Sequence, residues 1–206
     1  MKCGASLKKE EHCLTPYLHG AEVGDAYTYI GYKRYSQFFI GFTVGKWIEE
    51  TCNEFYKMLA SRLRLPTMKR KLTIFSDGNK QNITGLSNNF PQGTLHYAMR
   101  KKIKKGDKIV GIVNEIIFGN PPRELISIHN IDGFCSKLRE RISCFTRKAR
   151  SFAKKRLCIE QRLEIFSVQH NFMEVKIGQT PAMREGLTDK KWTWRSFFKI
   201  RLSTLI

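Results

Sequence analysis

Hydrophobic and polar positions change rhythm along the chain. From Asp25 to Gly31, and again from Gln37 to Gly45, apolar and aromatic residues come in short, partly alternating runs. They predict two strands joined by a hairpin connection at Lys33-Arg34-Tyr35-Ser36. A third short strand is expected at Trp47-Ile48. Cys52, Phe55, Leu59 and Leu63 fall at helical spacing and predict a helix that stops before Pro66. Leu72, Ile74 and Phe75 mark a mostly buried strand ending at Asp77, where Gly78-Asn79 is a turn signal. A short helix from Gln81 to Phe90, a short strand from Thr94 to Tyr97, a basic turn from Lys101 to Lys105 and an extended run from Ile109 to Phe118 follow. From Asp132 the spacing of Phe134, Leu138, Ile142, Phe145, Ala149 and Phe152 predicts one long amphipathic helix. Ile159, Leu163 and Phe166 continue as a second helix toward Asn171. This order predicts an α/β fold, a mixed sheet flanked by helices.

Charge changes the picture most. Lys plus Arg number 37 against 18 for Asp plus Glu, a net charge of +19. Such an excess calls for a polyanionic partner, and nucleic acid is the first candidate. The predicted long helix concentrates it. Lys137, Arg139, Arg147, Lys148 and Lys154 are its candidate phosphate contacts, and from Lys137 to Arg156 only Glu140 opposes the bases. No basic amphipathic anchor, signal peptide or apolar run of roughly 18 residues stands out, so no membrane association is expected and a cytoplasmic protein is the default. The six cysteines form no C-x-x-C pair, which argues against a zinc ribbon and for reduced thiols. Trp192 and Trp194 are expected to dock a C-terminal tail onto the body.

Three acids stand at suggestive places. Asp25 opens the first predicted strand, Asp77 closes the strand before the second helix, and Asp132 enters the long helix. Taken alone, Asp77 before Gly78 reads first as a turn residue. In a ribonuclease-H-like sheet, however, the first and fourth strands are neighbours and a later helix packs across them. The three carboxylates would then converge as hard oxygen ligands for Mg²⁺ or Mn²⁺, two ions serving phosphodiester chemistry. Glu115 is the rival to Asp132 as third acid.

The segment from Asn130-Ile131-Asp132-Gly133-Phe134 through Leu138-Arg139, continuing to Arg147-Lys148-Ala149-Arg150-Ser151-Phe152-Ala153-Lys154, resembles the C-terminal signature of insertion-sequence-one type transposases. His170-Asn171-Phe172 and Gly178-Gln179-Thr180-Pro181-Ala182-Met183 look like the tail of such proteins. Phe75-Ser76-Asp77-Gly78 resembles the strand bearing the second catalytic acid, and Glu22-Val23-Gly24-Asp25 the strand bearing the first. The resemblance spans roughly residues 20–198. It implies a ribonuclease-H-like DDE catalytic core, with Asp25, Asp77 and Asp132 as catalytic and metal-binding acids. It also implies a divalent metal, cleavage at the ends of a mobile element, strand transfer into target DNA, and a homo-oligomer. Asp132 stands where the family usually has Glu, and Ala26 where relatives often have another acid. Residues 1–20 then form a lead-in or the remnant of a DNA-binding region, 21–175 the core and 176–206 the tail. The alternatives are a ribonuclease-H-like nuclease without strand transfer and an inactive remnant that only binds nucleic acid.

Overall fold

The structure, a computed structural model, describes residues 11–15, 26–106, 108–145, 153 and 155–200. Its centre is a six-stranded mixed sheet with strand order β3-β2-β1-β4-β5-β6. The strands are β1 (Glu11–Thr15), β2 (Tyr27–Lys33), β3 (Phe39–Gly45), β4 (Leu72–Asp77), β5 (Leu95–Lys105) and β6 (Lys108–Phe118). β1, β4 and β5 run parallel; β2, β3 and β6 pair antiparallel to their neighbours. β4 is buried from Leu72 through Ser76, as a parallel strand covered on both faces must be.

Adjacent residues on a strand face opposite ways, and this divides the core. Phe75 and Ala98, with Ile30 and Phe39, pack against α3 (His129–Arg141) and α4 (Arg156–Val168) through Ile131, Phe134, Leu138, Leu163 and Phe166. Their chain neighbours Ile74, Tyr97, Tyr29 and Ile40 pack on the other face against α1 (Glu49–Arg62) and α2 (Gln81–Asn89) through Cys52, Phe55, Tyr56, Leu59 and Leu86. The result is an α/β structure with helices on both faces of the sheet.

Four expectations change. Glu11–Thr15, read as part of a lead-in, is an interior strand, paired to β2 on one side and β4 on the other. Its residues carry little alternation, and hydrogen bonding by both neighbours makes it a strand. Trp47 and Ile48 form no strand: they bend into α1, with Ile48 its extended N-cap and Trp47 against Tyr27 at 5.6 Å between ring centroids. The lysines from Lys101 to Lys105 are no turn but the second half of β5. Reversal waits for Gly106, whose φ of 62° a glycine adopts without penalty.

The long helix is also interrupted. α3 ends at Arg141, Ile142 is extended, and a short 3-10 turn spans Ser143–Phe145. Ile142, Cys144 and Phe145 are all buried. A continuing helix would place Cys144 about 200° from Ile142, on the opposite face, so burying all three requires leaving the helix. The 149 and 152 positions of the predicted stripe lie outside the described residues.

α4 runs into a π-helical turn, Gln169–Met173, that brings His170 and Asn171 against the β2–β3 connection. The tail docks as expected at Trp192. Its ring stacks on Phe172 at 4.4 Å and its backbone N–H donates to the Phe172 carbonyl at 2.9 Å. Thr180 caps α5 (Pro181–Arg184), and α6 (Trp194–Phe198) follows, carrying Trp194 and Phe198 at the surface. Among the described residues, no helix is long and apolar enough to cross a membrane.

Candidate active site

Asp77 is the last residue of β4, at the carboxyl end of the three parallel strands. The turn behind it is built by side chains. The Asn79 backbone N–H donates to Asp77 Oδ1 at 3.1 Å, and Asn79 Oδ1 accepts from the Gln81 N–H at 3.1 Å, where α2 begins. Both readings of the sequence therefore hold at once: Asp77 forms an Asx turn and also presents its carboxylate at the sheet rim.

A buried polar chain lies beneath. Ser76 Oγ and the Tyr97 hydroxyl are 2.7 Å apart, Asn82 Nδ2 donates to Ser76 Oγ at 3.1 Å, and Cys52 Sγ donates to Asn82 Oδ1 at 3.7 Å. Burial, aided by the charges of Glu49 and Asp77, pushes the Cys52 thiol up to about 12, so it is an inert core thiol and no nucleophile.

Asp132 sits in the first turn of α3. Its N–H makes a helical hydrogen bond to the Ile128 carbonyl at 2.9 Å. The approach to α3 is pinned from the sheet. Arg34 donates to the carbonyls of Leu125 and Ser127, both at 2.7 Å, with its guanidinium 5.0 Å over the ring of Phe75. Arg100 donates to the Ile126 carbonyl at 3.1 Å, and Ile126, Ile128 and Ile131 are buried. Phe75, two residues before Asp77, thus supports the arginine that fixes the entry to Asp132.

The charge of Asp132 reaches Asp77. Asp77 is raised from 3.8 to about 7, first by burial and further by the charge of Asp132, against the Asn79 N–H and the charge of Lys102. Lys102 Nζ lies 3.5 Å from Asp132 Oδ2. Glu115 stands on β6, opposite Met99 of β5, and is ion-paired with Lys101. Of the two rivals, Asp132 is the acid whose charge bears on Asp77.

Asp25 lies outside the described residues. The strand that follows it is β2, which does not pair with β4. β1 stands between them, with Leu14 opposite Ser76. Because β2 is antiparallel to β1, its first residue Tyr27 is at the same end of the sheet as Asp77. Among the described residues, no three of His, Cys, Asp and Glu come together to hold a metal ion.

Of the candidate phosphate contacts, Arg147, Lys148 and Lys154 lie outside the described residues. Arg139 is half-buried on α3. Lys137 turns inward: its ammonium is ion-paired with Glu174 and lies 3.1 Å from His170 Nδ1. The π-helical turn carries Glu174 to within reach of Lys137, a pairing no local pattern announces. Lys102, beside Asp132, and Arg34, over Phe75, were legible only as members of a basic turn and a hairpin connection.

No protein-family model matches the chain, and no curated protein matches it in sequence.

Proposed function

We propose that the chain is a DNA transposase catalytic domain with a ribonuclease-H-like core, using a divalent metal to cleave and join phosphodiesters. The observation that carries this reading is Asp77 at the carboxyl end of a central parallel strand, its carboxyl raised by burial and further by the charge of Asp132 on α3. The pairing of β1 with β4, and of α3 across the face that bears Phe75, supports the fold assignment. The +19 charge supports a polyanionic substrate such as DNA.

The donor set suits a hard cation. A carboxylate raised by burial and by the like charge of a second acid would be relieved by a divalent cation. Asp77 and Asp132 would hold Mg²⁺ or Mn²⁺, and Asp25 is the proposed third ligand. A metal site held by these residues would supply Lewis-acid activation of an attacking hydroxyl and stabilisation of a leaving oxygen. The chain's own contribution is positional. Asn79 fixes one oxygen of Asp77, the Arg34 and Arg100 clamps hold the α3 entry, and Lys102 places a cation beside the acids for a phosphate oxygen.

A second reading has its own observation. Lys102 already gives Asp132 an ion-pair partner, which suits a remnant that binds DNA without cleaving it. The test is joining of a 3′-hydroxyl donor oligonucleotide to plasmid in Mn²⁺. The proposal expects joining that Asp77→Asn abolishes. Equal joining by Asp77→Asn removes Asp77 from the site, nicking without joining favours a nuclease, and salt-sensitive binding alone favours the remnant.

A further inference from the structure

β5 and β6 outrun the sheet. The last β4–β5 pair is Asp77 with Arg100, yet β5 continues to Lys105 and pairs with β6 back from Lys108. Lys101–Lys105 and Lys108–Val113 therefore form a two-stranded arm beyond the acid pair, about 17 Å long at the usual rise per strand residue. Ile103, Ile109, Val110, Ile112 and Val113 on it are all 46–59% exposed. At the tip Lys105 and Lys108 are direct cross-strand partners and both exposed. Like charges placed opposite each other destabilise a hairpin unless an anion neutralises them.

The geometry points to the arm as a DNA-binding β-ribbon that enters a groove of the duplex beside the acid pair; this inference rests on the reading of the Asp77–Asp132 edge as DNA-acting. A two-stranded ribbon fits the major groove, whose walls cover both faces of the inserted element. Tip lysines meet phosphates there, and branched aliphatics meet thymine methyls. Lys102, at the arm's base, is the residue paired with Asp132, so a duplex seated on the arm runs past the acids. A second copy of this chain suits the surface less well. It would bring two lysine-rich arms together on molecules each carrying +19.

The test is fluorescence anisotropy of a labelled random-sequence duplex with the full chain, over a salt series. Lys105→Ala/Lys108→Ala is expected to bind at least roughly tenfold more weakly near 0.1 M salt, with the slope of log K against log salt shallower by about 1.8, two phosphate contacts' worth. Its circular dichroism is expected to match wild type and its melting temperature to be no lower, because neither lysine touches the core and their removal relieves a like-charge pair. Unchanged affinity and slope overturn the proposal. So does a wild-type dimer that Ile103→Ser/Ile112→Ser dissociates while duplex affinity holds, since the arm is then a protein surface. Measuring duplex affinity without divalent metal, where joining does not occur, separates the two readings. Failure of the joining assay therefore leaves the arm standing, and a joining-competent protein indifferent to the lysine substitutions overturns the arm alone.

Discussion

Two polar clusters cross the boundary between sheet and helices, and they handle charge in opposite ways. Around His170, charge is matched. Lys137 and Arg141 face Glu174, the His170 Nε2–H donates to the Gln37 carbonyl at 2.8 Å, and Asn171 both donates to and accepts from the backbone of Phe39, each at 2.9 Å. His170 and Lys137 hold Glu174 down to about 2, and burial lowers His170. Around Asp77, charge is matched only in part: burial makes ionisation of Asp77 costly, the charge of Asp132 adds to that cost, and Lys102 beside Asp132 offsets only some of it. A cluster that secures a fold satisfies its own charges, whereas one that keeps an excess is prepared for a ligand of the opposite sign.

The largest expected contrast comes from removing that excess. Asp77→Asn lowers metal-dependent joining by more than about 100-fold, since even outer-shell changes cost up to that much. The same change is expected to raise the melting temperature of the metal-free protein at pH 8 by roughly 3–8 °C. Adding Mn²⁺ is expected to raise the wild-type melting temperature and to leave that of Asp77→Asn unmoved. A metal-free Asp77→Asn that melts below wild type at pH 8 breaks the contrast.

At the matched cluster the effect has the opposite sign. Asn171→Ala strands the buried N–H and C=O of Phe39 and is expected to cost about 2–4 kcal/mol in urea unfolding. Joining per folded molecule is expected to be unchanged at low temperature.

The pH dependences should also run in opposite directions. The folded pKa of Asp77 lies above its ordinary value, so the native chain holds that proton more tightly than the unfolded chain does. Its stabilisation is present below pH 3.8 and lost as pH rises toward about 7. Glu174 is lowered from 4.5 to about 2, so its stabilisation is present above 4.5 and lost as pH falls toward 2. Melting curves of Asp77→Asn and Glu174→Gln across pH 2–8 resolve the two windows. A wild-type slope between pH 4 and 7 that Asp77→Asn leaves intact assigns that window elsewhere.

Lys102→Ala is the finest test. Both partners of the Lys102–Asp132 pair are more than 40% exposed, so stability is expected to change by less than about 1 kcal/mol. Removing a cation beside the acids is expected to tighten Mn²⁺ binding by about fivefold in titration calorimetry. Weaker Mn²⁺ binding in Lys102→Ala would show that the lysine organises the pair rather than competing for it.

Where a signal was local, it could be read. Leu72, Ile74 and Phe75 ending at Asp77-Gly78 are a strand and a stop whatever surrounds them, and β4 ends at Asp77. The first half of the apolar stripe, Phe134 and Leu138, is buried on α3, with Asp132 in its first turn. The stripe failed at Ile142, because a period records which residues want burial and not how the backbone will bury them.

By itself the sequence determined the α/β class, the position of Asp77 at a strand end, the helical entry at Asp132 and the cationic excess, all of which follow from neighbours a few residues apart. Tertiary structure alone decided that Glu11–Thr15 is the strand beside β4, that the lysines after Arg100 form an arm, that Lys137 belongs to Glu174, and that Asp132 rather than Glu115 presses on Asp77. Each of these joins segments distant along the chain. A hydrogen-bond ladder or an ion pair across that distance depends on where the backbone returns, which no local spacing encodes.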